Sequence, residues 1–168
     1  MTPHNAWFDR LDRRITQWMA RNGLLLLRLS IGIVFVWFGV VKFVPGLSPA
    51  DGIATRTFEI LSFGMIEPPA ARVILATWEV AIGLGLLSGI WMRLTLVLMG
   101  LQLVGAMTPL ILLPDETWKV IPVVLTIEGQ YIVKDAIILA AGLVLGATVR
   151  GGQLVAEPGK DPAAAHRN

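Results

Sequence analysis

Four apolar runs, each long enough to cross a lipid bilayer, constrain this chain more than any other feature of its sequence. They cover approximately residues 24–44, 71–91, 94–113 and 129–149. A helix needs about 20 apolar residues to cross a hydrocarbon core of about 30 Å, so each run can form one span. The composition agrees, because only 15% of the residues are charged, against about 25% in soluble domains. The sequence therefore predicts an all-α fold, a bundle of four transmembrane helices.

Three regions follow from this pattern. Residues 1–22 form an amphipathic segment, residues 23–149 form the four-helix transmembrane domain, and residues 150–168 are rich in polar and small residues. Such a composition buries too little apolar surface to fold. We therefore expect the last region to be a disordered tail.

The first region is predicted to be a helix with an apolar side and a basic side. Its apolar residues recur at helical spacing, and the arginines fall largely between them. Asn5 can cap its start, and Asn22 with Gly23 can end it. The apolar residues are Trp7, Phe8, Leu11, Ile15, Trp18 and Met19. This pattern is typical of a helix that lies in the membrane interface, although packing on a protein partner is the alternative.

The segments between the spans differ in their expected structure. After the first span, Ser48 and Pro49 are a favourable helix start, which predicts a short helix over residues 49–62 on the outer membrane surface. Pro114 and Pro122 limit helix formation between the last two spans. We expect that segment to be irregular.

Basic residues predict the orientation of the bundle. Lys and Arg are more frequent in the two terminal segments and the turn at residues 90–94 than in the other two loops. Because cytoplasmic loops carry the excess of basic residues, both termini are expected in the cytoplasm.

Every predicted span also carries a polar residue on a face that contains glycine. In the first span, Arg28 and Lys42 share a face with Gly32 and Gly39. The remaining spans carry Glu79, Gln102 and the adjacent pair Lys134 and Asp135. A charge at mid-bilayer costs about 2.5–3.5 kcal/mol on insertion scales, and glycine allows helices to approach closely. We therefore expect a buried polar network inside the bundle.

The depths of these groups predict which ions meet. Neighbouring residues point about 100° apart on a helix, so Lys134 and Asp135 should each pair with another helix. The expected pairs are Lys42 with Asp135 and Lys134 with Glu79, while Arg28 lies nearer the cytoplasmic side. Two roles for such a network are open. It serves solely to fix helix packing, or it also binds a lipid headgroup, a quinone carbonyl or a proton. Candidate quinone or lipid contacts are the aromatic residues Trp37, Phe38, Phe43, Trp78 and Tyr131.

The chain has no cysteine, and its histidines are His4 and His166, both near the termini. Thiol redox chemistry, iron–sulfur clusters and thiolate metal sites are excluded, and no metal site or catalytic residue is predicted. No cofactor is expected to be bound covalently or through histidine or cysteine, so a redox role would need a cofactor held in another way, for which quinone is the candidate, or a partner's cofactor. The chain alone is therefore a poor candidate for a self-sufficient oxidoreductase. Nothing in the sequence indicates binding to nucleic acid.

Three stretches of the sequence together resemble the DoxX-like four-helix membrane proteins, in particular the branch of the inner-membrane protein of reactive-chlorine resistance. The stretches are "LRLSIGIVFVWFGVVKFVPG", "WEVAIGLGLLSGIWMRLTLVLM" and "EGQYIVKDAIILAAGLVLGA" within residues 23–149. Their ordered charges are Arg28, Lys42, Glu79 and Lys134–Asp135.

The resemblance implies a multi-pass protein of the bacterial cytoplasmic (inner) membrane. It favours an accessory subunit of a larger redox, energy-transducing or stress-response complex, in contact with lipid and other membrane subunits. Two alternatives stay open, a membrane subunit of a thiosulfate:quinone type oxidoreductase and a small transporter or proton-conducting protein.

Overall fold

A computed structural model describes residues 5–152 and residue 154 of the chain. It contains seven helices and one short two-stranded sheet. The helices are α1 (Asn5–Lys42), α2 (Asp51–Leu61), α3 (Pro68–Ser88), α4 (Met92–Met107), α5 (Pro109–Leu112), α6 (Pro114–Thr117) and α7 (Ile127–Thr148), and the strands are β1 (Trp118–Val120) and β2 (Val124–Leu125). Most of the tail predicted over residues 150–168 lies outside the described residues.

The four predicted spans are confirmed as helices. Within the described part of the chain, four helical segments are long and apolar enough to cross a membrane. They are Trp7–Lys42, Pro68–Ser88, Met92–Leu112 and Ile127–Thr148. The third of these joins α4 and α5 across Thr108. The fold class is therefore the predicted one, an all-α bundle of four membrane-spanning helices.

The N-terminal segment is helical as predicted, but it does not end at Asn22 and Gly23. α1 is one continuous helix of 38 residues. Asn22 donates a hydrogen bond from its side chain to the carbonyl oxygen of Trp18, and the backbone continues in helical conformation through Gly23. The predicted helix end at Asn22 and Gly23 is therefore wrong, while the division into the first two regions stays a prediction.

A cap layer, residues 43–67 and 113–126, covers the end of the bundle where α1 finishes. Within it, α2 is the predicted short helix, although it begins at Asp51 and has no side-chain cap. The segment expected to be irregular instead forms α6 and a hairpin, in which Trp118 pairs with Leu125 and Val120 with Val124. Pro68 is the first residue of α3, because proline suits the first helical turn.

The apolar core joins all four spanning helices. Its buried members are Ile31 and Phe35 of α1, Ile82 and Leu86 of α3, Met99 and Leu103 of α4, and Leu145 of α7. Close packing of α1 on α3 depends on glycine. A Cβ atom on Gly83 would lie 2.6 Å from the backbone nitrogen of Val36, and one on Gly39 would lie 2.9 Å from that of Val80. The two backbones therefore come close enough for short side-chain contacts between α1 and α3.

Candidate functional site: a buried ion pair near the cap layer

The polar network centres on an ion pair between α1 and α3. Lys42 Nζ donates hydrogen bonds to both carboxylate oxygens of Glu79, at 2.9 Å to Oε1 and 2.7 Å to Oε2. The two side chains are only 11% and 9% exposed. Both charged groups are removed from water and paired with each other. Removing one of them would leave the other charge buried without a partner and would strongly destabilise the fold.

Helix direction explains why these two residues meet. The Cα–Cβ bonds of a helix tilt toward its N-terminus. α1 ends near the cap layer and α3 begins there, so Lys42 leans into the bundle while Glu79 leans back toward the cap layer. Gly39, one turn before Lys42, lies against the backbone of α3 at Ala76 and Val80. The two charged groups therefore reach each other without bending either helix.

Gln102 of α4 and Asp135 of α7 complete the site. Gln102 Nε2 donates to Glu79 Oε1 at 3.1 Å, so the amide oxygen of Gln102 points away from the carboxylate. This oxygen is buried and has no hydrogen-bond partner among the described residues. Asp135 is half-buried and interacts electrostatically with both Glu79 and Lys42. Four helices thus contribute one side chain each to a cluster of two acids, one lysine and one amide.

The predicted ion pairs were wrong, although the residues that face inward were largely identified. Lys42 pairs with Glu79 rather than with Asp135, and among residues 5–152 neither Asp135 nor Lys134 forms a salt bridge. Lys134 is exposed, and its Nζ lies 4.8 Å from the centroid of the Tyr131 ring. α7 begins at the cap layer, so Lys134 leans toward the preceding turn that holds Tyr131 and away from Glu79.

Arg28 lies at the opposite end of the bundle from the cluster. A Cβ atom on Gly89 would be 2.6 Å from Nη1 of Arg28, so the guanidinium rests on the residue that ends α3. The exposed carbonyl groups at a helix C-terminus attract a cation. Nε of Arg28 is buried without a partner among the described residues. The structure therefore places Arg28 outside the Lys42 cluster.

The five aromatic candidates do not gather around the cluster. Four are exposed on the helices or at the cap layer: Trp37, Phe38, Phe43 and Tyr131. Trp78 is half-buried and donates its indole N–H to the carbonyl oxygen of Leu98 at 3.2 Å. It lines an apolar groove of about 470 Å³ between α3 and α4, together with Val73, Ile74, Thr77, Ala81 and Leu98. Their predicted contact with quinone or lipid stays a prediction.

Two ion pairs in the cap layer were missed by sequence analysis. Arg72 of α3 forms a bidentate pair with Asp51 of α2, with N–O distances of 2.8 Å. Arg56 of α2 pairs with Glu116 of α6, beside a cavity of about 410 Å³ that Glu128 also lines. Both pairs join segments distant in sequence, so no local spacing could indicate them. The first pair holds α2 on α3, the span that carries Glu79, and the second joins the two segments of the cap layer to each other.

No group of His, Asp or Glu residues within the described part of the chain is placed to hold a metal ion. The arrangement of the cluster is suited to protons and to polar groups that donate or accept hydrogen bonds. Two carboxylates facing one ammonium group leave a negative charge when both are ionised, and a low-dielectric interior penalises that charge unless a proton or another donor compensates it.

Comparison with known proteins assigns the chain to a family. No curated protein and no solved structure matches it significantly. The family model DoxX matches residues 23–112, a range that includes Arg28, Lys42, Glu79 and Gln102. The predicted similarity to the reactive-chlorine-resistance branch stays a prediction. Because the match covers more than half of the chain and the four predicted spans are present as helices, this membrane protein belongs to the DoxX family.

Proposed function

We propose that the protein is an accessory membrane subunit that associates with a larger redox, energy-transducing or stress-response complex. The observation that carries this proposal is the apolar surface of the cap layer. Its most exposed apolar side chains are Phe63 at 89%, Met65 at 79%, Val123 at 78% and Ile121 at 63%. All four lie outside the four spans. Exposed apolar groups of this kind mark surfaces that contact another protein or the membrane surface, and we assign these to a protein partner.

Phe63 supports the same proposal through its backbone. Its φ angle is 55°, in the left-handed region that bulky residues rarely adopt. Such a conformation costs about 1–3 kcal/mol, yet the phenyl ring makes little contact within the chain. A partner that covers the ring would compensate for this cost.

The proposal is tested by purifying the tagged protein from its own membranes in a mild detergent. We expect a stoichiometric partner that is retained by the wild type and lost when Phe63→Ala and Val123→Ala are combined. Leu143→Ala is the matched control, because Leu143 is 71% exposed on the spanning helix α7. Retention of the partner by the double variant, or a monomer without a stoichiometric partner, would contradict the proposal.

A second candidate function is a quinone-binding subunit of an oxidoreductase, and the orphaned amide oxygen of Gln102 favours it. A quinol hydroxyl could donate to this oxygen, and Asp135, within electrostatic range of Glu79 and Lys42, offers a second acceptor in the cluster. The residues present therefore fit a small head group with hydrogen-bond donors. The oxidised quinone would supply the electron acceptor that the side chains of this chain lack, and its reduced quinol form carries those donors.

This candidate is tested by ligand protection against thermal unfolding. A water-soluble quinol analogue kept in its reduced form should raise the unfolding temperature of the wild type, and Gln102→Leu should abolish the shift. Lys134→Met serves as the control, because Lys134 is exposed and makes no contact with the cluster. An equal shift in Gln102→Leu would exclude this site as the place of binding.

A further inference from the structure

The N-terminal half of α1 extends beyond the bundle. At about 1.5 Å per residue, the 38 residues of α1 span about 57 Å, against about 30 Å for the hydrocarbon core. α3 ends at Ser88, beside Arg28. Every residue from position 7 to position 20 is exposed. This extension therefore offers a free surface that the fold of the bundle does not use.

The extension has a defined apolar stripe with basic residues along one flank. The stripe consists of Trp7, Phe8, Leu11, Ile15, Trp18 and Met19, which are between 42% and 67% exposed. Arg10, Arg14 and Arg21 are separated by four and seven residues, so they form one row about 80–120° around the helix from the centre of the stripe. On a helix that lies in a membrane surface with its stripe down, residues at this angle are level with the lipid phosphates.

A weak point in α1 coincides with the place where it leaves the bundle. Gly23 has no atom within 4 Å of the position its Cβ would take, so neither close packing nor a positive φ requires glycine there. Glycine in a helix interior costs about 1 kcal/mol relative to alanine. The side chain of Asn22 already donates to the carbonyl oxygen of Trp18 at 2.9 Å, as a helix-ending residue would.

We propose that α1 bends at Gly23 and that residues 5–22 lie on the membrane surface, with the stripe in the acyl chains and the arginine row on anionic phospholipid headgroups. Charge favours lipid over a protein partner as the occupant. The extension carries four arginines against two aspartates, and three of the arginines flank the stripe on one side. The tether at Gly23 also keeps the stripe next to the bilayer, which raises its effective concentration there.

The absence of cysteine allows a clean test with single spin labels on the full chain. Ile15→Cys places a label in the stripe, and Arg13→Cys places one on the opposite side of the same helix. In vesicles of phosphatidylcholine with about one-third phosphatidylglycerol, we expect the first label to be accessible to oxygen and shielded from an aqueous relaxation reagent. The second label should show the reverse.

Two further variants test the role of charge and of the bend. Combined Arg10→Glu, Arg14→Glu and Arg21→Glu should reduce the ratio of surface-bound to unbound segment by at least the roughly 100-fold expected from about fivefold per arginine. Gly23→Ala should also reduce it, because a straighter helix lifts the stripe away from the bilayer. Equal aqueous exposure of both labels in the anionic vesicles would overturn the proposal. Protection of Ile15→Cys only in native membranes would equally overturn it, and would indicate a protein occupant.

Discussion

Replacing Lys42 by methionine removes the ammonium group that pairs with Glu79 and lies within electrostatic range of Asp135. The lost contacts are the two hydrogen bonds of 2.7 and 2.9 Å between side chains about one-tenth exposed. Removing one partner of a buried pair costs about 3–5 kcal/mol, because the remaining charge stays buried without compensation. Lys42→Met should therefore reduce the folding equilibrium constant by about 150- to 4000-fold.

Glu79→Leu should be milder than Lys42→Met, although it breaks the same ion pair. In the Glu79 variant, Lys42 still has the carboxylate of Asp135 within electrostatic range. In the Lys42 variant, two carboxylates lose their common cation. We expect the double variant to lie within about 1–2 kcal/mol of the wild type, because apolar replacement of a whole buried pair is often close to neutral.

The assay is equilibrium unfolding in mixed micelles of sodium dodecyl sulfate and a mild detergent, followed by far-ultraviolet circular dichroism. Lys134→Met is the matched control, since it makes the same substitution at an exposed lysine and should change stability by less than about 0.5 kcal/mol. Equal losses for the two single variants, or a double variant as unstable as their sum, would refute the interpretation of the pair.

Three other predictions concern helix packing and the cap layer. Gly83→Ala places a methyl group against the backbone of α1 and should lower the free energy of unfolding by about 1–3 kcal/mol. Its control is Gly105→Ala, because Gly105 has open space around it; this change should leave stability unchanged or raise it by up to about 1 kcal/mol. Arg72→Ala should release α2 from α3, which faster amide hydrogen exchange in α2 would report. Arg56→Ala should have a much smaller effect, because Arg56 is more exposed than Arg72. Similar exchange rates in the two variants would argue against the bidentate pair as the anchor of α2. Trp78→Phe removes one hydrogen bond and should cost about 1 kcal/mol in the same micelle assay; unchanged stability would contradict a stabilising role for the indole N–H.

The sequence determined the number and approximate position of the spans because hydropathy over about 20 residues is a local property. It also identified Lys42, Glu79, Gln102 and Asp135 as facing inward, since helical periodicity assigns each residue to a face. Lys134 was assigned inward as well, but it adjoins Asp135 and lies about 100° from it on the helix. One helix cannot turn both residues toward the same neighbour.

Only the tertiary structure decided which charges meet. The Lys42–Glu79 pair depends on the close approach of α1 and α3 at Gly39 and Gly83 and on the opposite directions of the two helices, which tilt the side chains toward each other. The Arg72–Asp51 pair likewise depends on how α2 folds back over α3. Periodicity fixes an angle around one helix axis, but an ion pair requires two axes at a known distance, level and direction, and these are set by packing between helices.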